Sequence, residues 1–359
     1  MNTRIIAHLD LDAFFASVEE REHEWLAGKP IVVGADPQEG KGRGVVSTAN
    51  YKARAYGIYS AMPISKAWQL AEVARKQGKP PAVFLGTNLR RYGEVSRNIM
   101  AIIRNHVSVV EEASIDEAYF DISVSRNYAA VENICRQIKE EIREKEKLTC
   151  SIGIGPNKLI AKIASDMQKP DGLTRVEEKD AEKFLEPLPL RKIPGIGPKT
   201  ELLFAKRGIA YVRDLKRSPQ EELESLLGKW GKALYHKIRG QDDSPVEENY
   251  EIKSIGAEET FSQDTLDPAL LLESIEKMCR DILKRFRKDK CTSFRTVAIK
   301  VRFSDFKTIS RAHTLDYPAR KLDVLRFEAL KLFMPFLDKR ENPHKKLIRL
   351  VGVRMEKLE

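Results

Sequence analysis

The sequence is poor in cysteine and has no long apolar run. Its four cysteines, Cys135, Cys150, Cys279 and Cys291, lie far apart and never form a Cys-x-x-Cys pair. That spacing argues against a disulfide framework and a zinc knuckle, and for scattered small apolar residues in a reducing compartment. No uninterrupted hydrophobic stretch approaches the roughly 18–20 residues needed to cross a bilayer, so neither membrane insertion nor a membrane partner is expected. The first ten residues carry Arg4 and run straight into acidic positions, with no apolar h-region or small-residue cleavage site. A secretory leader is therefore not expected, and the chain reads as intracellular and cytoplasmic.

What is present begins with length and charge. At 359 residues the chain exceeds what one core normally absorbs, which predicts two or more domains. Its 63 Lys and Arg against 53 Asp and Glu give a formal charge of +10, a basic excess that points to a polyanionic partner. The excess is unevenly placed. Residues 253–359 hold 24 basic and 16 acidic side chains, a net of +8, against +2 for everything before them. Within that last third Lys284, Arg285, Arg287, Lys288 and Lys290 form a dense basic run, and Lys300 and Arg302 share one face of an alternating strand over Thr296–Phe303. A solvated face and contact with a phosphate backbone are comparable readings of such a module. The polar, aperiodic stretch 241–252 reads as an interdomain linker.

Two groups of acidic residues are unusual. Ile5–Asp12 reads as a short buried strand that ends in carboxylates, followed by a helix over Ala13–Glu20, with Asp12 placed to cap that helix. Asp10 has no such role. At the end of an apolar strand an unpaired carboxylate is costly unless something cationic neutralises it, and a metal ion is the obvious candidate. Asp116 and Glu117 fall at the turn between two apparent antiparallel strands, Val107–Val110 and Ala118–Ile122. Ordinarily such a pair is merely solvated. If the hairpin lies beside the first strand, Asp10, Asp116 and Glu117 converge with the Leu11 carbonyl into an all-oxygen site suited to Mg²⁺, and a pair of such ions is what phosphoryl transfer uses.

Five ordered blocks then resemble one family: Leu9–Glu19, Ser47–Arg54, Ala113–Tyr119, Ser151–Lys158 and Ala164–Gly172. In order and spacing they are similar to the Y-family translesion DNA polymerases of the DinB type, and the likeness runs through Val351–Arg354, covering essentially the whole chain. The resemblance implies an α+β multidomain, right-hand polymerase with a ferredoxin-like palm, small fingers, a helix-hairpin-helix thumb and a C-terminal little finger. It puts the palm at 1–13 and 82–175, the fingers at 14–81, the thumb at 176–240, the linker at 241–252 and the little finger at 253–359. A palm of split βαβ topology agrees with the strand, hairpin, helix near Arg126–Lys147, strand Cys150–Ile154 and helix Asn157–Met167 read from the residues.

Carried over residue by residue, the resemblance implies that Asp10, Asp116 and Glu117, with Leu11, bind two Mg²⁺ ions. It implies that Phe15 is a steric gate excluding the 2′-hydroxyl of a ribonucleotide, with Phe14 beside it on the nucleotide side; an ordinary core role fits Phe14 better, because adjacent helical residues point about 100° apart. Thr48, Tyr51, Arg54 and Lys169 match triphosphate contacts, for which hydroxyl, guanidinium and ammonium donors are chemically apt. Ser47, Ser60 and Ala61 match the small residues over the nascent base pair. Independently, Ile193–Lys199 followed by Thr200–Arg207 is a helix-hairpin-helix signature, in which Gly195, Gly197 and Lys199 would present backbone amides to a phosphate.

The expected partners are primer-template DNA and dNTPs. A sliding clamp is a candidate partner without a clear binding tail after Arg354; Gln220–Leu227 superficially resembles a clamp-binding peptide but reads as thumb core, and a monomer is expected. A helix-hairpin-helix nuclease or glycosylase is a competing class, and the nuclease could also use acidic residues and metal, but it leaves Phe15 beside Asp10 and the triphosphate set unexplained. A noncatalytic DNA-binding protein with a dead palm would be expected to have lost the carboxylates.

Overall fold

The computed structural model describes residues 4–125, 127–248 and 251–359. Arg126, at the expected start of a helix, and Asn249 and Tyr250, within the expected linker, lie outside the described residues. The chain divides into two compact units, Met1–Gly40 with Val45–Asn249, and Lys41–Gly44 with Tyr250–Glu359.

The first unit holds two sheets. Its strands in chain order are β1 (Ile6–Leu11), β2 (Ile31–Gly34), β3 (Val46–Ala49), β4 (Val83–Leu85), β5 (Val109–Glu112), β6 (Glu117–Asp121), β7 (Cys150–Gly155) and β8 (Leu173–Arg175). The larger sheet has the order β5-β6-β1-β7-β8, antiparallel except for β7 with β8, and the smaller the order β3-β2-β4. The helices that matter to the site are α1 (Phe14–Glu22), α2 (Tyr51–Arg54), α3 (Ile64–Lys76), α4 (Leu89–His106), α5 (Tyr128–Glu146) and α6 (Lys158–Ser165).

Alternation along β1 decides what each face of the larger sheet does. Ala7, Leu9 and Leu11 pack with Ala118, Phe120, Ile152 and Ile154 into the core shared with α4 and α5. The intervening residues, Ile6, His8 and Asp10, must then face the other way, because successive side chains on a strand alternate. Their register partners on that face are Asp121, Tyr119 and Glu117 on one side and Gly155, Gly153 and Ser151 on the other. Helix α6 covers this second face at close range. A Cβ on Gly153 would lie 2.0 Å from the Ala161 carbonyl oxygen, so only glycine admits the helix there.

Further along, short helices make up the helix-hairpin-helix region: α7 (Ala181–Leu185), α8 (Pro198–Ala205), α9 (Val212–Leu215), α10 (Gln220–Leu227) and α11 (Lys229–Lys237). They bury Phe204, Leu215, Leu223 and Leu234 in one cluster, so the 220–227 segment is core helix as expected. Residues 241–247 form no regular element, yet they are strapped down rather than free. Arg4 donates to the Asp242 and Ser244 carbonyls, the Glu247 amide donates to Glu111 (2.8 Å), and Val246 packs on Ile6, Tyr119 and Ala161. Aperiodic sequence identified the absence of an element but could not show these anchors.

The second unit is a sheet of order β11-β10-β12-β9, made of β9 (Ser254–Thr265), β10 (Phe294–Phe303), β11 (Thr308–Ala319) and β12 (Ile348–Leu358), all antiparallel. Helices α12 (Pro268–Lys288) and α13 (Leu322–Phe333) cover one face, burying Val297, Ile299, Val301 and Phe303 of β10. Lys300 and Arg302 therefore share the opposite face. Arg285, Arg287 and Lys288 sit in the last turn of α12, where cations complement the negative end of the helix dipole.

Candidate active site

The end of β1 is where the acidic residues gather. Asp10 and Glu117 are direct cross-strand partners on one face, and the Leu11 amide donates to the Asp116 carbonyl (3.0 Å). The hairpin thus lies beside the first strand. The side chains, however, are drawn toward different partners. Asp10 Oδ2 is 2.7 Å from Lys169 Nζ, Glu117 Oε2 is 2.7 Å from Lys162 Nζ, and Asp116 Oδ1 accepts from Ser114 (2.6 Å). Among the described residues no three His, Cys, Asp or Glu side chains close on a common point as a metal cage. The strands and backbone converge as expected, and the Asp10 and Glu117 heads are close enough that Glu117 adds to the upward push of burial on the Asp10 pKa, but each is also paired with its own ammonium group.

The electrostatics show a site crowded with buried, paired charge. Burial pushes the Asp10 carboxyl up to about 7, against the opposing pull of Lys169. Lys169 loses some basicity to burial but gains more from Asp10 and Asp166 (2.8 Å), and ends at about 12. Glu117 is held well below the carboxylate range by His8 and Lys162 despite its burial. His8 is fully buried, and burial lowers it below the ordinary imidazole range. Ser165 Oγ donates to the Lys162 carbonyl and must accept from His8 Nδ1 (2.8 Å), which leaves His8 Nε2 without a hydrogen-bond partner, 3.7 Å from Glu117 Oε2. A buried carboxylate of raised pKa in an all-oxygen donor set has the chemistry to take a hard cation.

One cavity of the first unit opens on this corner. It is lined by Asp10, Leu11, Asp116 and Lys169 together with Ser47, Thr48, Tyr51, Arg54 and Ser60. The last group is positioned by Asn50, whose side chain caps α2 by accepting from the Ala53 amide (3.0 Å) and also binds the Ile31 amide (3.0 Å) and the Lys29 carbonyl (2.8 Å). This pins the start of α2 to β2. Arg54 then lies over the Tyr51 ring at 4.6 Å and donates to the Ala49 carbonyl (2.9 Å). Burial lifts the Tyr51 phenol to about 12, so it remains a neutral hydroxyl donor. Ala61 follows Ser60 with a left-handed backbone (φ 65°), its amide bonded to the Val46 carbonyl.

Phe14 is 1% exposed and packs in the core while also lining the cavity, whereas Phe15 is half-buried. Glu117, Phe15 and Ala61 do not line the cavity. The Phe15 ring instead stacks on the buried Tyr92 ring of α4, with centroids 4.3 Å apart and planes at 14°, and Tyr92 donates its hydroxyl to Glu19 (2.5 Å). Tyr92, Lys162 and His8 were not found by sequence reasoning. Only His8 carried a signal, its i, i+2 relation to Asp10 on a strand.

Asp12 requires a correction. The N-cap of α1 is Ala13, in a left-handed conformation (φ 47°) with no side-chain cap bond. Asp12 is spent elsewhere: it accepts from Ser151 Oγ (2.8 Å), the Asp171 amide (2.8 Å) and Tyr51 (3.4 Å). Those tertiary donors outcompete the local cap.

In the helix-hairpin-helix turn Gly195 has φ 99° and Gly197 is the N-cap of α8 without a side-chain cap, so the amides that open α8 near Lys199 are free to meet an acceptor. In the second unit Lys300 pairs with Glu258, and Arg302 donates to Thr308 (2.9 Å).

Residues 9–166 match the impB/mucB/samB family, residues 252–359 its C-terminal domain, and residues 191–242 the DNA polymerase-iota thumb domain. The chain is 42% identical to DNA polymerase IV of Methanoculleus marisnigri, covering 99% of this chain and 95% of that protein. It is 39% identical to DNA polymerase IV of Streptococcus mutans over 99% and 93% of the two chains. The chain belongs to the Y family of DNA polymerases. Among solved structures, a Dbh–Dpo4 Y-family polymerase chimera superposes with a TM-score of 0.86 at 30% identity over 99% of both chains. An insertion ternary complex of Dbh DNA polymerase gives 0.68 at 30% identity over 98% of both. The fold is accordingly the right-hand arrangement of palm, small fingers, helix-hairpin-helix thumb and little finger. As a Y-family member the chain is a DNA-directed DNA polymerase of the translesion class, and divalent-metal dependence comes with that class. Among the described residues no helix is long and apolar enough to cross a membrane.

Proposed function

We propose that this Y-family polymerase extends a primer by binding a dNTP in the cavity between β1 and α2, with Asp10, Asp116 and Glu117 as the catalytic carboxylates. The observation that carries the reading is the direct pairing of Asp10 with Glu117, beside a cavity that also presents Thr48, Tyr51, Arg54 and Lys169. The primer 3′-hydroxyl attacks the α-phosphate of a templated dNTP; one P–O bond forms and the bond to the departing pyrophosphate breaks. The three carboxylates and the Leu11 carbonyl would hold two Mg²⁺ ions, whose chemistry when bound is to make the hydroxyl a better nucleophile and to neutralise charge on the leaving group.

The chain's own groups do the rest. Arg54 and Lys169 supply cationic donors to phosphate oxygens, and Thr48 and Tyr51 add neutral hydroxyls. Phe15, braced by Tyr92 outside the cavity lining, would meet a 2′-hydroxyl once a nucleotide is bound, and is the gate on this reading. Ser47, Ser60 and Ala61 leave room over the base pair for a distorted template, which favours lesion bypass over fidelity. The α8 amides near Gly195, Gly197 and Lys199, and the Lys300–Arg302 face of the sheet, are suited to phosphate contacts that carry no base information. The domains follow as 1–13 and 82–175 for the palm, 14–81 for the fingers, 176–240 for the thumb and 253–359 for the little finger, with the chain acting as a monomer in the cytoplasm.

Primer extension on undamaged and abasic templates tests the proposal. The wild-type protein with Mg²⁺ and dNTPs is expected to insert opposite the lesion and continue. No extension on either template would overturn it.

A further inference from the structure

We propose that Asp12 is the positioning residue of the nucleotide site, tying Tyr51 and the loop that carries Lys169 to the end of β1. The inference rests on the polymerase reading above. Asp12 is only 3% exposed, and among the described residues its carboxylate is met by hydroxyls and a backbone amide rather than by a cation. A buried carboxylate without a counter-charge survives only where donors satisfy it. Its donors come from three separate segments: Ser151 on β7, the amide of Asp171, and the Tyr51 hydroxyl of α2.

The network is directional. Ser151 Oγ gives its proton to Asp12 and accepts the Gly172 amide (3.2 Å), so Asp12 and Ser151 together hold two consecutive amides of the loop. From the other side α5 grips the same loop, with Lys139 Nζ 2.8 Å from Asp171 and 3.2 Å from the Gly172 carbonyl. Lys169 lies two residues before Asp171, and its ammonium rests on Asp10 (2.7 Å). The carboxylate of Asp12 thus fixes where Lys169 and Tyr51 stand relative to Asp10 without itself facing a free coordination position. Asparagine is nearly the same shape but cannot replace it. With its oxygen kept on the Asp171 amide, its NH₂ group would have to donate to the Ser151 and Tyr51 hydroxyls, which reverses those two bonds, takes away the acceptor of both hydroxyls and removes the charge that strengthens all three.

The test is single-nucleotide insertion with the full-length protein, normalised to titrated active sites, for wild type, Asp12→Asn and Ser151→Ala. The expected result for Asp12→Asn is a KM for dNTP raised about tenfold, the size of one lost charge-assisted hydrogen bond, with a much smaller change in kcat. The half-saturating Mg²⁺ concentration and the primer-template Kd stay at their wild-type values. Ser151→Ala, which removes the Oγ that links Asp12 to the Gly172 amide, shifts KM in the same direction by less, and the double variant is less than additive. If Asp12→Asn does not fold, Ser151→Ala alone decides. An unchanged KM per active site overturns the proposal, because a purely structural role lowers the active fraction and leaves KM alone. A shift in half-saturating Mg²⁺ in place of KM also overturns it, by making Asp12 a metal ligand. Wild type that fails to extend the primer instead refutes the polymerase reading, and this inference with it.

Discussion

A Cβ added at Gly153 would stand 2.0 Å from the Ala161 carbonyl oxygen, 2.3 Å from the Ser165 amide nitrogen and 2.8 Å from the Ala164 carbonyl carbon. All three are backbone atoms of α6, so no side chain can swing aside, and Gly153→Ala must push the helix off the sheet by more than an ångström. Overpacking of this kind costs about 1–3 kcal/mol, and rigid backbone on both sides puts this case near the top of that range. For a unit of this size such a loss corresponds to a fall in Tm of roughly 6–12 °C. The displacement also carries function with it. Helix α6 presents Lys162 to Glu117 and leads into the loop of Lys169. Misplacement on the ångström scale costs on the order of 100-fold in rate, and that is the expected loss in dNTP insertion. Thermal unfolding followed by circular dichroism, with single-nucleotide insertion measured well below the transition, reads both effects. A variant with wild-type Tm and wild-type insertion would refute the claim that Gly153 sets the approach of α6 to the site.

Three other outcomes follow from the geometry. Phe15→Ala removes the ring stacked on Tyr92 and should reduce discrimination against rNTPs by roughly 10- to 200-fold in competing insertion assays; an unchanged dNTP/rNTP ratio would reject the gate. Burial raises the thiols of Cys135, Cys150 and Cys279, the latter two to about 12, whereas Cys291 is only partly covered. At pH 8 one thiol per native chain should react promptly with a disulfide reagent, and rapid reaction of two or more would contradict the packing. Removing both Lys300 and Arg302 should weaken duplex binding and flatten the slope of log K against log salt by about two; a slope equal to wild type would mean that neither touches phosphate.

The residues differ in how far their roles could be read without coordinates. Asp10 was legible because alternation along an apolar strand leaves a carboxylate at its end with nowhere cheap to go, and the hairpin of Asp116 and Glu117 was legible from two apolar runs flanking a turn. The position of Asp12 was equally visible, but its role was misread. A carboxylate immediately before a helix looks the same whether it caps that helix or reaches Ser151 and the Asp171 amide, and those donors lie 139 and 159 residues away. The same limit hid the pairing of the acidic heads with ammonium groups. Lys162 and Lys169 are ordinary surface residues until α6 and the following loop fold back across β1. Nor could the aperiodic 241–247 stretch reveal its attachment to Arg4 and Glu111, because those two anchors use the strap's own backbone carbonyls and amide, which leave no pattern in its side chains.

The central claim is that the carboxylates at the end of β1 perform the chemistry, and single-turnover incorporation by Asp116→Ala and Glu117→Ala tests it most directly. With primer-template affinity and Tm held at wild-type values, each variant should lose about 10³-fold or more in rate, in keeping with the several kcal/mol that charge neutralisation by bound metal supplies. Incorporation at the wild-type rate by both folded variants would contradict the account.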